Sequence, residues 1–104
     1  MTEAQFQSAV IALACLCGWM VHHTRPAQIR PGVWATPIQG TAGWPDLVLA
    51  RHGEFIVAEL KKEGGRLTAG QKAWLLMLDS AGIETHVWYP KDMQQITDRL
   101  QRKA

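Results

Sequence analysis

Asp46-Leu47-Val48-Leu49-Ala50-Arg51-His52-Gly53-Glu54-Phe55-Ile56-Val57-Ala58-Glu59-Leu60-Lys61 is the stretch that decides the fold. Leu47–Ala50 and Phe55–Leu60 are apolar runs of strand length. Between them, Arg51-His52-Gly53-Glu54 is a tight-turn signal in which Gly53 supplies the positive φ. A two-residue loop at His52-Gly53 sets Arg51 opposite Glu54. Counting back along both strands then sets Asp46 opposite Glu59, with Cβ atoms roughly 5 Å apart. Glu59 and Lys61 are two residues apart and share a face. The register therefore brings two carboxylates and an ammonium to one spot. Like charges facing each other across a ladder destabilise it. A chain that puts them beside an apolar sheet core is expected to use them on a divalent cation. The same residues also read as a plain hairpin with an ion pair between Lys61 and one carboxylate.

The chemistry that suits this cluster is metal-assisted phosphodiester hydrolysis. Mg²⁺ takes oxygen ligands and keeps several of its waters. Asp46, Glu59 and the backbone carbonyl of Leu60 can supply one side of that shell. The metal activates a water and neutralises charge on phosphate. Lys61 is the candidate for orienting that water or stabilising the developing negative charge.

Length and composition bound the rest. A chain of 104 residues is one compact domain, spanning residues 1–104. Hydrophobic residues make up 47%, enough for a real core. The net charge of +2 does not by itself announce a nucleic-acid binder. The cations are unevenly spread, however. Lys61, Lys62, Arg66 and Lys72 crowd the candidate site, Arg25 and Arg30 precede it, and Arg99, Arg102 and Lys103 end the chain. Such clusters can track phosphates even where acids elsewhere cancel the total. The apolar run Ala9–Cys17 lacks a basic leader and is too short to cross a bilayer. Cys15 and Cys17 point to different sides of a helix, so reduced thiols and a cytoplasmic location are expected.

Along the chain the order is helix, three strands, helix, strand, helix. Thr2 with Gln5 forms a capping box for a helix carrying Phe6, Val10, Leu13 and Cys17. Trp19–His23 is a short strand. Residues Thr24 to Trp44 show no periodicity and carry Pro26, Pro31 and Pro37, which predicts a long functional loop. Thr68 starts a second helix running to about Ala81, with Trp74, Met77, Leu78 and Ala81 on one face. Glu84–Trp88 is the last strand. Asp92 with Gln95 caps a final helix carrying Met93, Ile96 and Leu100. Trp74 and Trp88 fit core positions, while Trp34 and Trp44 flank the loop, placed either to stack on an unpaired base or to pack the loop down. His22, His23, His52 and His86 lie on different elements without the paired spacing of a zinc site.

Gly43-Trp44-Pro45-Asp46-Leu47-Val48-Leu49 followed by Ala58-Glu59-Leu60-Lys61 resembles the PD-(D/E)XK nuclease motif. The stretch Leu67-Thr68-Ala69-Gly70-Gln71-Lys72-Ala73-Trp74-Leu75, then Ala81-Gly82 and Val87-Trp88-Tyr89-Pro90, is similar to the VRR-NUC branch in its small stand-alone phage and bacterial form. Thr2-Glu3 and Pro37-Ile38-Gln39-Gly40 extend the likeness over nearly the whole chain. The resemblance implies an α/β fold with a restriction-endonuclease-like core, a mixed central sheet flanked by helices in the order αβββαβα. It implies that Asp46 and Glu59 are the metal-binding acids, with Mg²⁺ or Mn²⁺ as cofactor, and that Lys61 is the catalytic lysine. It implies that Gln71 stands beside the site and that Glu3 approaches the metal directly or through water. Both also read structurally. Thr68-x-x-Gln71 is a capping box, and an acid in a helix's first turn suits its dipole. The implied function is a DNA endonuclease acting as a homodimer on branched DNA, in the manner of a Holliday-junction resolvase in DNA repair. A flap or restriction-type nuclease, and a DNA-binding module without turnover, are the alternatives.

Overall fold

The computed structural model describes residues 1–24, 27–35 and 38–102, with the side chains of residues 27–29 left aside; Arg25, Pro26, Pro37 and Lys103 lie outside them. The apolar stretches form β4 (Leu47–Arg51) and β5 (Glu54–Leu60), paired antiparallel with Arg51 opposite Glu54 and Leu47 opposite Ala58. Gly53 has φ +72°, as the two-residue loop requires. β1 (Met20–His23) pairs antiparallel with β4, and β6 (Glu84–Trp88) pairs parallel with β5. The order β1-β4-β5-β6 makes a mixed four-stranded sheet. β4 and β5 are the inner strands, and β5 is buried from Ile56 to Leu60 on both faces, which explains the apolar run Ile56–Ala58.

Two helices cover one face. α1 (Glu3–Leu16) starts at the expected capping box, in which Gln5 N donates to Thr2 Oγ1 at 3.1 Å and Thr2 N donates to Gln5 Oε1 at 2.8 Å. It buries Phe6, Val10 and Ala14 completely. α3 (Met93–Gln101) buries Ile96 and Leu100. These pack with Leu47, Leu49, Ile56, Ala58, Leu60, Trp19 and Trp88 into one core. Each fully buried large apolar side chain contributes about 1.5–3 kcal/mol. α2 (Ala69–Ser80) crosses over from β5 to β6 and lies against the opposite face, the one that carries Glu59 and Lys61. Among the described residues no helix is long and apolar enough to cross a membrane.

Several expectations are corrected. The segment from Thr24 to Trp44 is not structureless. It contains a hairpin, β2 (Ala27–Arg30) and β3 (Val33–Ala35), turning through Pro31 and Gly32 as a separate two-stranded sheet. Strands of four and three residues are too short for alternation to register against three prolines. α2 also turns a different face inward. Leu75 is buried and Gln71, Trp74 and Leu78 are half-buried, whereas Met77 is 67% exposed and Ala81 is exposed. Leu75-Leu76-Met77-Leu78 is apolar in every direction, so periodicity alone does not pick the face. Asp92 does not form a box with Gln95. Pro90 opens a 3₁₀ turn (Pro90–Asp92), and Asp92 Oδ2 accepts from Tyr89 N at 2.9 Å.

The turn end of the sheet is closed by a charged knot that composition did not reveal. Trp19 is buried and its Nε1 donates to Leu100 O at 3.0 Å. Arg51 lies over its ring at 4.1 Å, binds Glu54 at 2.9 Å and donates to the carbonyls of Cys17 (3.1 Å), Leu100 (2.7 Å) and Arg102. Arg99 grips Glu84 through two bonds of 2.7 and 2.9 Å and Glu54 through one of 3.1 Å. Its partner Glu84 is held down at about 2, foremost by the Arg99 hydrogen bonds. Arg99 is therefore structural and not part of a phosphate-tracking tail.

Candidate active site

Asp46 and Glu59 stand one residue beyond the last pair of the β4–β5 ladder, Leu47 with Ala58. That position is set by the turn register and by β5 running on past β4's end. Each acid accepts one backbone N–H from the other's strand. Asp46 N donates to Glu59 Oε2 at 3.2 Å, and Leu60 N donates to Asp46 Oδ1 at 3.2 Å. Lys61 N bonds across to Trp88 O at 2.9 Å, so the strand edge alternates as expected. Leu60 N–H, and with it the Leu60 carbonyl, point toward Asp46. Lys61 Nζ stands 3.7 Å from Glu59 Oε1. The neighbouring Lys62 is exposed.

Gln71 fills both of its readings with one carboxamide. Its Oε1 accepts from Thr68 N at 2.9 Å in a complete capping box, while its Nε2 donates to Glu59 Oε1 at 3.0 Å. Glu3, the first residue of α1, lines the same cleft as Asp46, Glu59, Lys61 and Gln71. Its charge adds to the field that raises Glu59. It does not join the two acids in a compact cluster: among the described residues no three His, Cys, Asp or Glu side chains are grouped closely enough to cage a metal. Two carboxylates suffice for a cation that keeps its waters.

Electrostatics mark this pair apart from the other acids. Burial, and then Glu59, pushes the Asp46 carboxyl up to about 7 from 3.8. Burial also raises Glu59, with Lys61 opposing. Two desolvated carboxylates facing each other are costly as anions. The donor set, all oxygen and raised by burial, fits a hard divalent cation that would offset that cost. The Lys61–Glu59 ion pair of the plain hairpin reading is present as well, and it holds one side of the same carboxylate.

The cleft encloses about 940 Å³. Its rim was only partly visible in the sequence. His23 and Thr24 line it at the end of β1, where Thr24 N donates to Asp46 O at 2.8 Å. The loop before Asp46 is seated on α2 by two glycines. A Cβ on Gly43, whose φ is +107°, would fall 2.3 Å from the Gly70 carbonyl carbon and 2.7 Å from Gln71 N, and one on Gly70 would fall 2.9 Å from Ala42 O. Trp74 is not a core residue. Its Nε1 donates to Thr41 O at 3.0 Å, and its ring meets Trp44 edge-on at 5.0 Å. A glycine in the first turn of a helix is a costly choice, and at Gly70 that was the available signal.

A mixed sheet flanked by helices, with acids at the open end of its central hairpin, defines an α/β domain of nuclease architecture. The family model for the VRR-NUC domain matches residues 11–92, and the chain belongs to that family of nucleases, within the PD-(D/E)XK superfamily. The matched span holds Asp46, Glu59, Lys61 and Gln71 and leaves out Glu3 and α3. No curated protein and no solved structure matches the chain.

Proposed function

We propose that this protein is a Mg²⁺- or Mn²⁺-dependent DNA endonuclease in which Asp46, Glu59 and the Leu60 carbonyl hold the cation. The observation that carries the reading is the pair of desolvated carboxylates in one cleft, each accepting a backbone N–H from the other's strand. When bound, the cation supplies acidity to a water and charge to the scissile phosphate. Gln71 and Lys61 fix the Glu59 carboxylate through Oε1, and Leu60 N fixes the Asp46 carboxylate through Oδ1. Lys61 stands where a water facing the phosphate is oriented and where negative charge grows in the transition state. Glu3 acts through water from the cleft wall. The departing alkoxide is protonated from solvent at the open mouth.

The finer reading is a homodimer that cuts branched DNA. Two opposed cuts need two sites, and two-fold symmetry supplies them from one chain. On the apolar helix α1, Val10 is in the core and Leu13 packs against it, while Leu16 is 85% exposed. The α2 side of the sheet is bare toward β1. There Met20, Ala50 and Phe55 stand side by side across three strands, with Met20 78% and Phe55 44% exposed. The test is cleavage of linear, flap and four-way DNA with and without Mg²⁺, with Lys61→Ala and the exposed Lys62→Ala compared. The expected result is metal-dependent cutting, fastest on the four-way substrate, lost by orders of magnitude in Lys61→Ala and largely kept in Lys62→Ala. Equal losses in both lysine variants would refute the site.

A further inference from the structure

The cleft has two chemistries. Its floor is acidic and polar, but one wall is apolar: Trp34 on β3, then Ile38, then Trp44. Phosphates gain nothing from such a wall. Trp44 is held by the Trp74 ring and by the Gly43–Gly70 approach. Trp34 is different. It is 64% exposed and has no hydrogen-bond or ring partner among the described residues. Ile38, also exposed, extends the same surface. An open indole face lining the same cleft as Asp46 and Glu59 is what an unstacked base needs, because every base has a π-face and stacking on an aromatic is tolerant of sequence.

We propose that Trp34 is a stacking platform for an unpaired nucleobase lying beside the phosphate held at Asp46 and Glu59. This rests on the nuclease reading and adds its substrate class: DNA with a base near the cut that is free of its duplex or easily freed, as at a gap, a flap or the opened pairs of a branch point. A base inside a continuous duplex is stacked on both sides and cannot reach the indole without being extruded, which costs a few kcal/mol. The β2–β3 hairpin, separate from the main sheet, is the element that carries this selectivity.

The experiment measures binding and cutting separately. Anisotropy in Ca²⁺ compares a duplex with a three-nucleotide gap against the same duplex fully paired, for the wild type, Trp34→Ala and Trp34→Phe. Trp34→Ala is expected to lose about tenfold in affinity for the gapped DNA and nothing for the paired one, within the range one stacked base gives. Trp34→Phe should keep most of the preference. A 2-aminopurine in the gap should be quenched by the wild type and not by Trp34→Ala. Melting curves of the variants should match the wild type, as the side chain is exposed. An unchanged gapped-DNA affinity in Trp34→Ala, or an equal loss on both DNAs, overturns the proposal. Cleavage by the wild type in Mg²⁺ tests the nuclease reading on its own: a protein that binds gapped DNA through Trp34 but cuts nothing keeps the platform and refutes the nuclease.

Discussion

At the scale of single residues, Asp46 is a liability to the metal-free fold. Its carboxyl is raised to about 7, foremost by burial. Between its ordinary value of 3.8 and 7, the folded chain holds a proton that the unfolded chain has released. Stability attached to this group is therefore full at acidic pH, falls as pH rises through that window, and levels off above it. Asp46→Asn is expected to abolish cleavage and, in EDTA at pH 8, to raise the melting temperature by several degrees while flattening the decline between pH 5 and 8. Thermal melts across that range check it; a variant less stable than wild type at pH 8 would show that Asp46 is not strained. Gln71 offers a second separation. Gln71→Glu keeps the oxygen that accepts from Thr68 N but turns the donor facing Glu59 into an acceptor. Cleavage should drop at least tenfold, and the metal-free protein should lose about 1.5–3 kcal/mol of stability, because the bond removed is to a carboxylate and the new acid faces it. A stability loss without a rate loss would make Gln71 only a cap.

At the scale of elements, the seat of the Asp46 loop on α2 gives a test whose sign is informative. Gly→Ala inside a helix ordinarily stabilises by about 1 kcal/mol. At Gly70 the new Cβ would meet Ala42 O at 2.9 Å. Gly70→Ala is expected to destabilise by about 1–3 kcal/mol, as overpacking does, and to slow cutting by moving Asp46 relative to Gln71. Denaturant unfolding decides it, and a stabilised variant would mean the loop is not seated there. The β4–β5 pairing was legible in advance because two residues of turn chemistry fix every partner from Arg51 with Glu54 to Leu47 with Ala58, and Asp46 and Glu59 come next along both strands. The β2–β3 hairpin was not, because seven strand residues interrupted by Pro31 and Gly32 carry too little pattern. The inward face of α2 was missed for a related reason. The residue that anchors it is the polar Gln71, and hydrophobic periodicity does not count a glutamine. Arg99 looked like a tail cation because its partners, Glu54 and Glu84, are distant in sequence.

At the scale of the whole molecule, the bare row of Met20, Ala50 and Phe55 is an apolar strip at the sheet edge. Met20→Lys with Phe55→Asp is expected to shift the protein from dimer to monomer in light scattering at micromolar concentration, and to reduce paired cuts on four-way DNA to single nicks. A wild type that is already monomeric would remove the dimer from the proposal. The two ends of the sheet differ in another respect. Arg51 ties the last carbonyls of α1 and the end of α3 to the β4–β5 turn through one guanidinium. These segments are far apart in the chain, yet none can open without releasing the others. Their backbone amides should therefore exchange with solvent as one cooperative unit, slowly and together. That clamp lies at the end of the sheet opposite the cleft that Asp46 and Glu59 line, so the site is built on a base that opens only as a whole.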